Sequence, residues 1–199
     1  MDFEAFFSIV GTIAFAISGA SVGIRKKMDV FGVAMLGMTT SIGGGMIRDL
    51  IIGVNPPEIF RDPTIAIISI IVSLIMFIPA VHRKINMDGK ILLVMDSVGL
   101  ALFTVIGVKA GVGFNHLFLT VFVGGITGVG GGVLRDIFAG ERPYIFTKHF
   151  YACASLIGAL VAGLLWPAGE IVAMSVGATV VFWLRILAAK YRWSLPKAG

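Results

Sequence analysis

Arg48 and Asp49 stand side by side in GGGMIRDLIIGVNPP (43–57), and Arg135 and Asp136 do so in GGGVLRDIFAGERPY (130–144). A guanidinium and a carboxylate are expensive inside hydrocarbon, so such residues pair, face water, or mark a route for ions. Three glycines precede each pair, Gly43, Gly44 and Gly45 in one case, Gly130, Gly131 and Gly132 in the other. Each costs a helix about 1 kcal/mol relative to alanine, so a triplet predicts a kink or an unwound turn. Carbonyls freed at such a break must be buried in protein or line a watery cavity, and in a cavity they suit a weakly held monovalent cation. Close helix packing through small residues is the alternative reading of the same glycines. Thr39, Thr40, Ser41 and Thr127 lie just ahead of the triplets. Their hydroxyls either face a path or bond back to their own helix.

Neighbours on a helix do not face each other, which predicts that each arginine reaches another element, a helix C-terminus or the opposite repeat's aspartate. Snorkelling to the membrane surface is the plain alternative. Asp96 follows ILLVM inside an apolar run. It either attracts cations at a pore mouth or bonds nearby hydroxyls. Lys109 ends the same run. It is open to three readings: voltage sensing, pairing with Asp49, or snorkelling. Other chemistry finds no footing. His82, His116 and His149 form no metal-ligating pattern and read as solvated interfacial residues. The glycine tracts lack the Lys-Ser/Thr of a phosphate-binding loop, and no nucleophile stands with a placed base. Cys153 alone makes neither a disulfide nor a metal site, and reads as a buried structural thiol. No enzyme and no cofactor are expected.

The elements that must carry these residues are membrane helices. The chain has 199 residues, 57% hydrophobic and only 14% charged, with mean hydropathy +0.98. A soluble domain carries roughly a quarter charged residues. Seven spans are expected, at 3–23, 30–48, 64–81, 91–109, 116–134, 149–166 and 170–188. Each approaches the ~20 residues that cross a bilayer, and none alternates as a barrel strand does. The fold class is therefore an all-α integral membrane protein, one membrane domain over 1–199. The acidic start (Asp2, Glu4) lacks the basic region of a cleavable signal, so the first span is expected to stay. With the N-terminus outside, thirteen Lys and Arg residues fall inside, among them Arg25, Lys148, Arg185 and Lys197. Three, Arg48, Arg61 and Lys109, fall outside. That bias orients the chain N-out and C-in, and basic residues spread this way suit lipid rather than nucleic acid.

The repeated phrase extends further. In the register that aligns Gly43 with Gly130, Gly53 meets Gly140 and Pro56 meets Pro143. One step away, Gly11, Phe15, Gly19 and Gly23 match Gly99, Phe103, Gly107 and Gly111, and Asp96 matches Ser8. Residues 3–83 and 91–166 thus read as two three-helix repeats, with 170–188 as a seventh helix. An odd number of spans per repeat inverts the second copy, and such folds place their site where the repeats meet.

The duplicated GGGxxRD phrase and the hydropathy over nearly the whole chain resemble the prokaryotic branch of the TRIC family, the trimeric intracellular cation channels. The same domain is also described as a bacterial glycine-transporter domain. The resemblance implies a homotrimer in the inner membrane of a prokaryote, each subunit holding its own potassium-permeable pore. It implies that the second and fifth spans kink at their glycines and line the path, with the Arg-Asp pairs shaping it. It also implies K+ or Na+ as the permeant ion. The Lys-Glu-Val motif of animal members is absent from the second span, so their lipid and calcium regulation is not carried over. Three functions remain: a passive cation channel with Asp96 and the hydroxyls aiding selectivity, a carrier for glycine or a similar amino acid, and a membrane scaffold. Broken helix termini suit the carrier as well as the channel.

Overall fold

The computed structural model describes residues 3–84, 89–147 and 150–193. Lys148, His149 and Lys197, and the expected start of the sixth span, lie outside the described residues. All regular structure among the described residues is helical: α1 (Phe3–Arg25), α2 (Val30–Ile52), α3 (Glu58–Arg61), α4 (Thr64–Phe77), α5 (Pro79–Lys84), α6 (Gly89–Val112), α7 (Leu117–Phe138), α8 (Tyr144–Thr147), α9 (Tyr151–Leu165) and α10 (Glu170–Lys190). A 3-10 turn, Trp166–Ala168, extends α9. Six of these elements, α1, α2, α6, α7, α9 with its turn, and α10, are long and apolar enough to cross a membrane.

The third expected span is shorter than its hydropathy suggested. α4 has 14 residues, about 21 Å at 1.5 Å per residue. Ile78 turns extended ahead of Pro79, because proline disfavours helical backbone in the residue before it. The helix restarts as α5.

α1, α2 and α4 pack together, as do α6, α7 and α9, and the two groups meet where α1 lies on α6 and α2 on α7. α10 covers α6 and α9. Phe15 and Phe103 stack at 5.3 Å between centroids in the seam of α1 and α6. The ends of the helices define two faces. The amino-terminal face gathers the starts of α1, α4 and α10 with the ends of α2 and α6. The opposite face gathers the ends of α1, α7 and α10 with the starts of α2, α6 and α9.

Neither glycine triplet breaks its helix: α2 runs unbroken through Gly43–Gly45 and α7 through Gly130–Gly132. The packing reading of the glycines holds instead. A Cβ at Gly44 would collide with the Thr127 carbonyl, and one at Gly131 with the Thr40 carbonyl. The two helices therefore cross backbone to backbone, a spacing only glycine permits. In hydrocarbon a helix cannot surrender its hydrogen bonds to water, which outweighs glycine's weak propensity. The hydroxyls follow suit. Thr40 Oγ1 donates to Leu36 O at 2.6 Å, and Thr127 Oγ1 donates to Val123 O at 2.6 Å.

Each helix ends on a glycine in the left-handed region, Gly53 (φ 78°) after α2 and Gly140 (φ 65°) after α7. A side chain there would be strained, and the glycines let the chain turn back toward its arginine-aspartate pair. Gly45, by contrast, has open space around it. Replacing Gly44 or Gly131 with Ala is expected to destabilise the protein by about 1–3 kcal/mol through overpacking against backbone. Gly45→Ala should stay within about 0.5 kcal/mol of the parent. Thermal unfolding of the detergent-purified variants, followed by gel filtration, measures both.

Candidate functional site

The two arginine-aspartate pairs lie in the last turns of α2 and α7, inside helices rather than beyond a break. Both make the same local arrangement. Arg48 Nε donates to Asp49 Oδ1 at 2.8 Å, and Arg135 Nε donates to Asp136 Oδ1 at 2.9 Å. The second carboxylate oxygen caps the next short helix: Asp49 Oδ2 accepts from Glu58 N (2.8 Å), and Asp136 Oδ2 accepts from Tyr144 N (2.9 Å). The expectation that adjacent residues avoid each other is corrected. A guanidinium is long enough to fold back along the helix end, although the Cβ atoms diverge.

Beyond this shared frame the two sites differ. Arg135 is fully buried, and its Nη1 donates to Asp96 Oδ1 and to Ser18 Oγ, both at 2.6 Å. Asp96 is equally buried, and Tyr151 Oη donates to its Oδ1 at 3.4 Å. Arg185 Nη2 lies 3.9 Å from Asp96 Oδ2, and its guanidinium sits 4.7 Å from the Tyr151 ring centroid. Arg135 in turn lies 5.1 Å from the Tyr144 ring. Two guanidinium groups, two carboxylates and two phenol rings thus fill the interior at the opposite face. Charges removed from water need partners of this quality, because a lone buried ion costs several kcal/mol.

Arg48 keeps 11% of its side chain exposed and turns outward to Glu58 Oε2 at 3.3 Å. Beside it, on the amino-terminal face, opens a vestibule of about 360 Å³. Its wall carries four carboxylates, Glu4, Asp49, Glu58 and Asp62, against the one guanidinium. Hydrogen bonds from the Thr64 hydroxyl and backbone N–H hold the Asp62 carboxyl below its ordinary range, so it stays charged in mild acid. Ser8, Ser41 and Gly45 form part of the lining. Ser41 Oγ lies 3.0 Å from Gly37 O and 3.1 Å from Thr12 O, and Thr12 Oγ1 is buried without a hydrogen-bond partner.

The structure therefore brings together only part of what the sequence singled out. Ser41, Gly45, Arg48 and Asp49 share the vestibule, while Arg135, Asp136 and Asp96 share the buried network. Gly43, Gly44, Gly130 and Gly131 serve the crossing, and Gly132 packs on Tyr151. Thr39 is half-buried on α2 and does not line the vestibule. Neither arginine reaches the opposite repeat's aspartate: Arg48 reaches Glu58 and Arg135 reaches Asp96. Lys109 does not pair with Asp49. It bridges Glu4 (2.8 Å) and Glu170 (2.6 Å), tying the starts of α1 and α10 to the end of α6. His116 is exposed and caps α7, and Cys153 is half-buried.

Sequence reasoning missed Ser18, Tyr151 and Arg185. Arg185 carries a signal, a charge within the last turns of an apolar span, although the inside bias of basic residues accounts for it equally. Both it and Arg135 are buried, so two of the thirteen belong to the core. The fold and its two charged ends define a helical-bundle membrane protein in which one phrase is used twice at opposite faces.

Comparison with known proteins makes the assignment. A family profile described as Glycine transporter matches residues 5–80 and again 93–167. The Escherichia coli (strain K12) UPF0126 inner membrane protein YadS is 36% identical over 194 residues, covering 94% of this chain and 92% of that one. A structure of a TRIC cation channel is 38% identical with a TM-score of 0.89, covering 100% of this chain and 98% of the other. The TRIC trimeric intracellular cation channel orthologue from Rhodobacter sphaeroides is 30% identical at TM-score 0.86, covering 97% and 100%. The chain belongs to the prokaryotic TRIC family, the one also described by the glycine-transporter profile.

Breaking a buried ion pair from one side leaves a charge in the core. Asp96→Asn is expected to destabilise the protein by roughly 3–5 kcal/mol. Glu58→Gln, at an exposed pair, should cost no more than about 1 kcal/mol. Denaturant or thermal unfolding of the two variants in one detergent checks the contrast.

Proposed function

We propose that this protein is a channel for monovalent cations, potassium among them, with one path in each subunit of a homotrimer. The observation that carries the reading is the acidic vestibule. Four carboxylates against Arg48 and the Lys109 paired to Glu4 leave an acidic excess that concentrates cations and repels anions at its mouth. Hydroxyls of Ser8 and Ser41 line it as neutral ligands for an ion that has shed water. The likeness to TRIC cation channels at 38% and 30% identity supports the same assignment.

The path enters at the vestibule, runs between the two helix triplets, and leaves through the opposite face, where the Arg135 network closes it. Residues 3–83 and 91–166 act as two inverted repeats, a reading supported by the double match of the family profile. Glycine-rich α2 and α7 act as rigid crossing rods in this scheme. The protein sits in the inner membrane of a prokaryote with its N-terminus outside, so the vestibule faces the exterior.

A carrier for glycine or another small amino acid is the second reading, favoured by the description of the family profile and by Arg48 beside Glu58 in one cavity. A guanidinium and a carboxylate together suit a zwitterion.

Purified protein in planar bilayers with asymmetric KCl decides between them. Unitary currents reversing near the potassium potential are expected. Saturable glycine uptake without unitary current would overturn the channel. Tyr151→Phe removes one hydrogen bond of about 1 kcal/mol from the closure and should raise the open-to-closed ratio roughly fivefold.

A further inference from the structure

The two ends of the path carry matched residues, yet one is open and the other filled. Gly45 corresponds to Gly132 and Arg48 to Arg135 in the register of the duplicated phrases, and Ser8 corresponds to Asp96 in the register one step away that matches Gly11 with Gly99 on the first and fourth spans. Gly37 faces Ser73 as Gly124 faces Ala159, which sets Ile65 of α4 opposite Tyr151 of α9. A Cβ at Gly132 would lie 2.6 Å from Tyr151 Oη and 3.8 Å from Asp96 Oδ1, whereas one at Gly45 meets nothing within 4 Å. Ser8, Gly45, Arg48 and Ile65 all line the vestibule. The cavity thus occupies the place that, in the other copy, is taken by a carboxylate and a phenol.

We infer that Ser8 is the positioning residue that keeps the amino-terminal end open, because it withholds from Arg48 the carboxylate that Asp96 gives Arg135. At the opposite end Asp96 draws its guanidinium inward to 2.6 Å and Tyr151 closes over the pair. With serine at the matched position nothing inside competes for Arg48, and the guanidinium turns to Asp49 and the exposed Glu58. Isoleucine in place of Tyr151 supplies no hydroxyl to complete a seal. The channel therefore carries a single charge lock, at one end only. This inference rests on the inverted-repeat reading proposed above and on the vestibule as the entrance.

The test uses full-length protein in liposomes. Cys153→Ser removes the native thiol, and Gly45→Cys places a new one in the vestibule without a clash. The probe is a positively charged, membrane-impermeant methanethiosulfonate. Adding Ser8→Asp is expected to slow labelling at least about tenfold, the population shift of one charge-assisted hydrogen bond. The new negative charge by itself would speed a cationic probe, so slowing reports closure. Adding Arg48→Gln to Ser8→Asp should abolish the slowing and give a rate at least that of Arg48→Gln alone. Labelling that Ser8→Asp leaves unchanged, or slowing that survives Arg48→Gln, overturns the inference. Where Ser8→Asp fails to assemble, Ser8→Glu takes its place, and labelling as fast as in the parent overturns the inference equally. The readout needs no current. Slowed labelling in a protein that passes no ions would sink the channel and keep the lock.

Discussion

An arginine with no exposed surface has to be met by carboxylates wherever the chain puts it, and at Arg135 this requirement organises one whole end of the molecule. Its partners come from three helices: Asp136 on its own α7, Asp96 on α6 and Ser18 on α1. Arg185 brings α10 to the same carboxylate, and Tyr151 brings α9. Lipid tails are as apolar as leucine, so sliding one apolar helix past another in a bilayer changes little hydrophobic free energy. Register must come from something with a sharper optimum. A guanidinium at 2.6 Å from its acceptors is such a constraint, and five of the six long helices answer to it.

The second constraint is the glycine crossing, and it explains how the charges reach opposite faces. α2 and α7 touch at Gly44 and Gly131 with carbonyl oxygens where side chains would otherwise stand. From that point their C-terminal turns run to opposite ends of the molecule, each delivering an arginine and an aspartate one turn and a little further on. A larger residue at the crossing would part the rods and shift both pairs together. The two ends are therefore mechanically tied, although their chemistry differs. Each aspartate then captures the N-terminus of a short helix, α3 or α8, through a backbone N–H. The turn between is made by Gly53 or Gly140, the residues best able to take its left-handed backbone.

The duplicated phrase was the most legible feature of the sequence, since its residues recur in type and spacing and the same hydrogen bonds recur with them. Span positions were also legible from hydropathy, apart from the stretch 64–81. There Pro79 carried the information that the run of apolar residues concealed. The glycines misled because helix propensity is measured in water, where an opened turn finds solvent partners; inside a bilayer it finds none. Side-chain partners over long range were not legible at all. That Lys109 meets Glu4 and Glu170 depends on which helix ends come together, and the sequence spacing of those three residues says nothing of it. Arg135 meeting Asp96 belongs to the same class. Ser41 answers to both readings offered for it, since it lines the vestibule and its hydroxyl bonds back to Gly37 O of its own helix.

The asymmetry of the two ends bears on which function the fold serves. A carrier has to close each end in turn around its cargo, so it needs a closing set at both faces and an equilibrium that exchanges them. In the proposed channel reading the closing set is complete at the opposite face, where Asp96 and Ser18 meet Arg135 and Tyr151 meets Asp96. The matched positions on the amino-terminal face hold Ser8, Ile65 and Ile106, which offer Arg48 no carboxylate and no phenol. A ligand would have to supply the missing carboxylate itself, in a cavity where four acidic side chains already oppose an anion. A cation meets no such obstacle. One lock and one standing entrance suffice for a passive path, and that economy of parts, rather than the glycines first suspected of opening it, is what favours conduction.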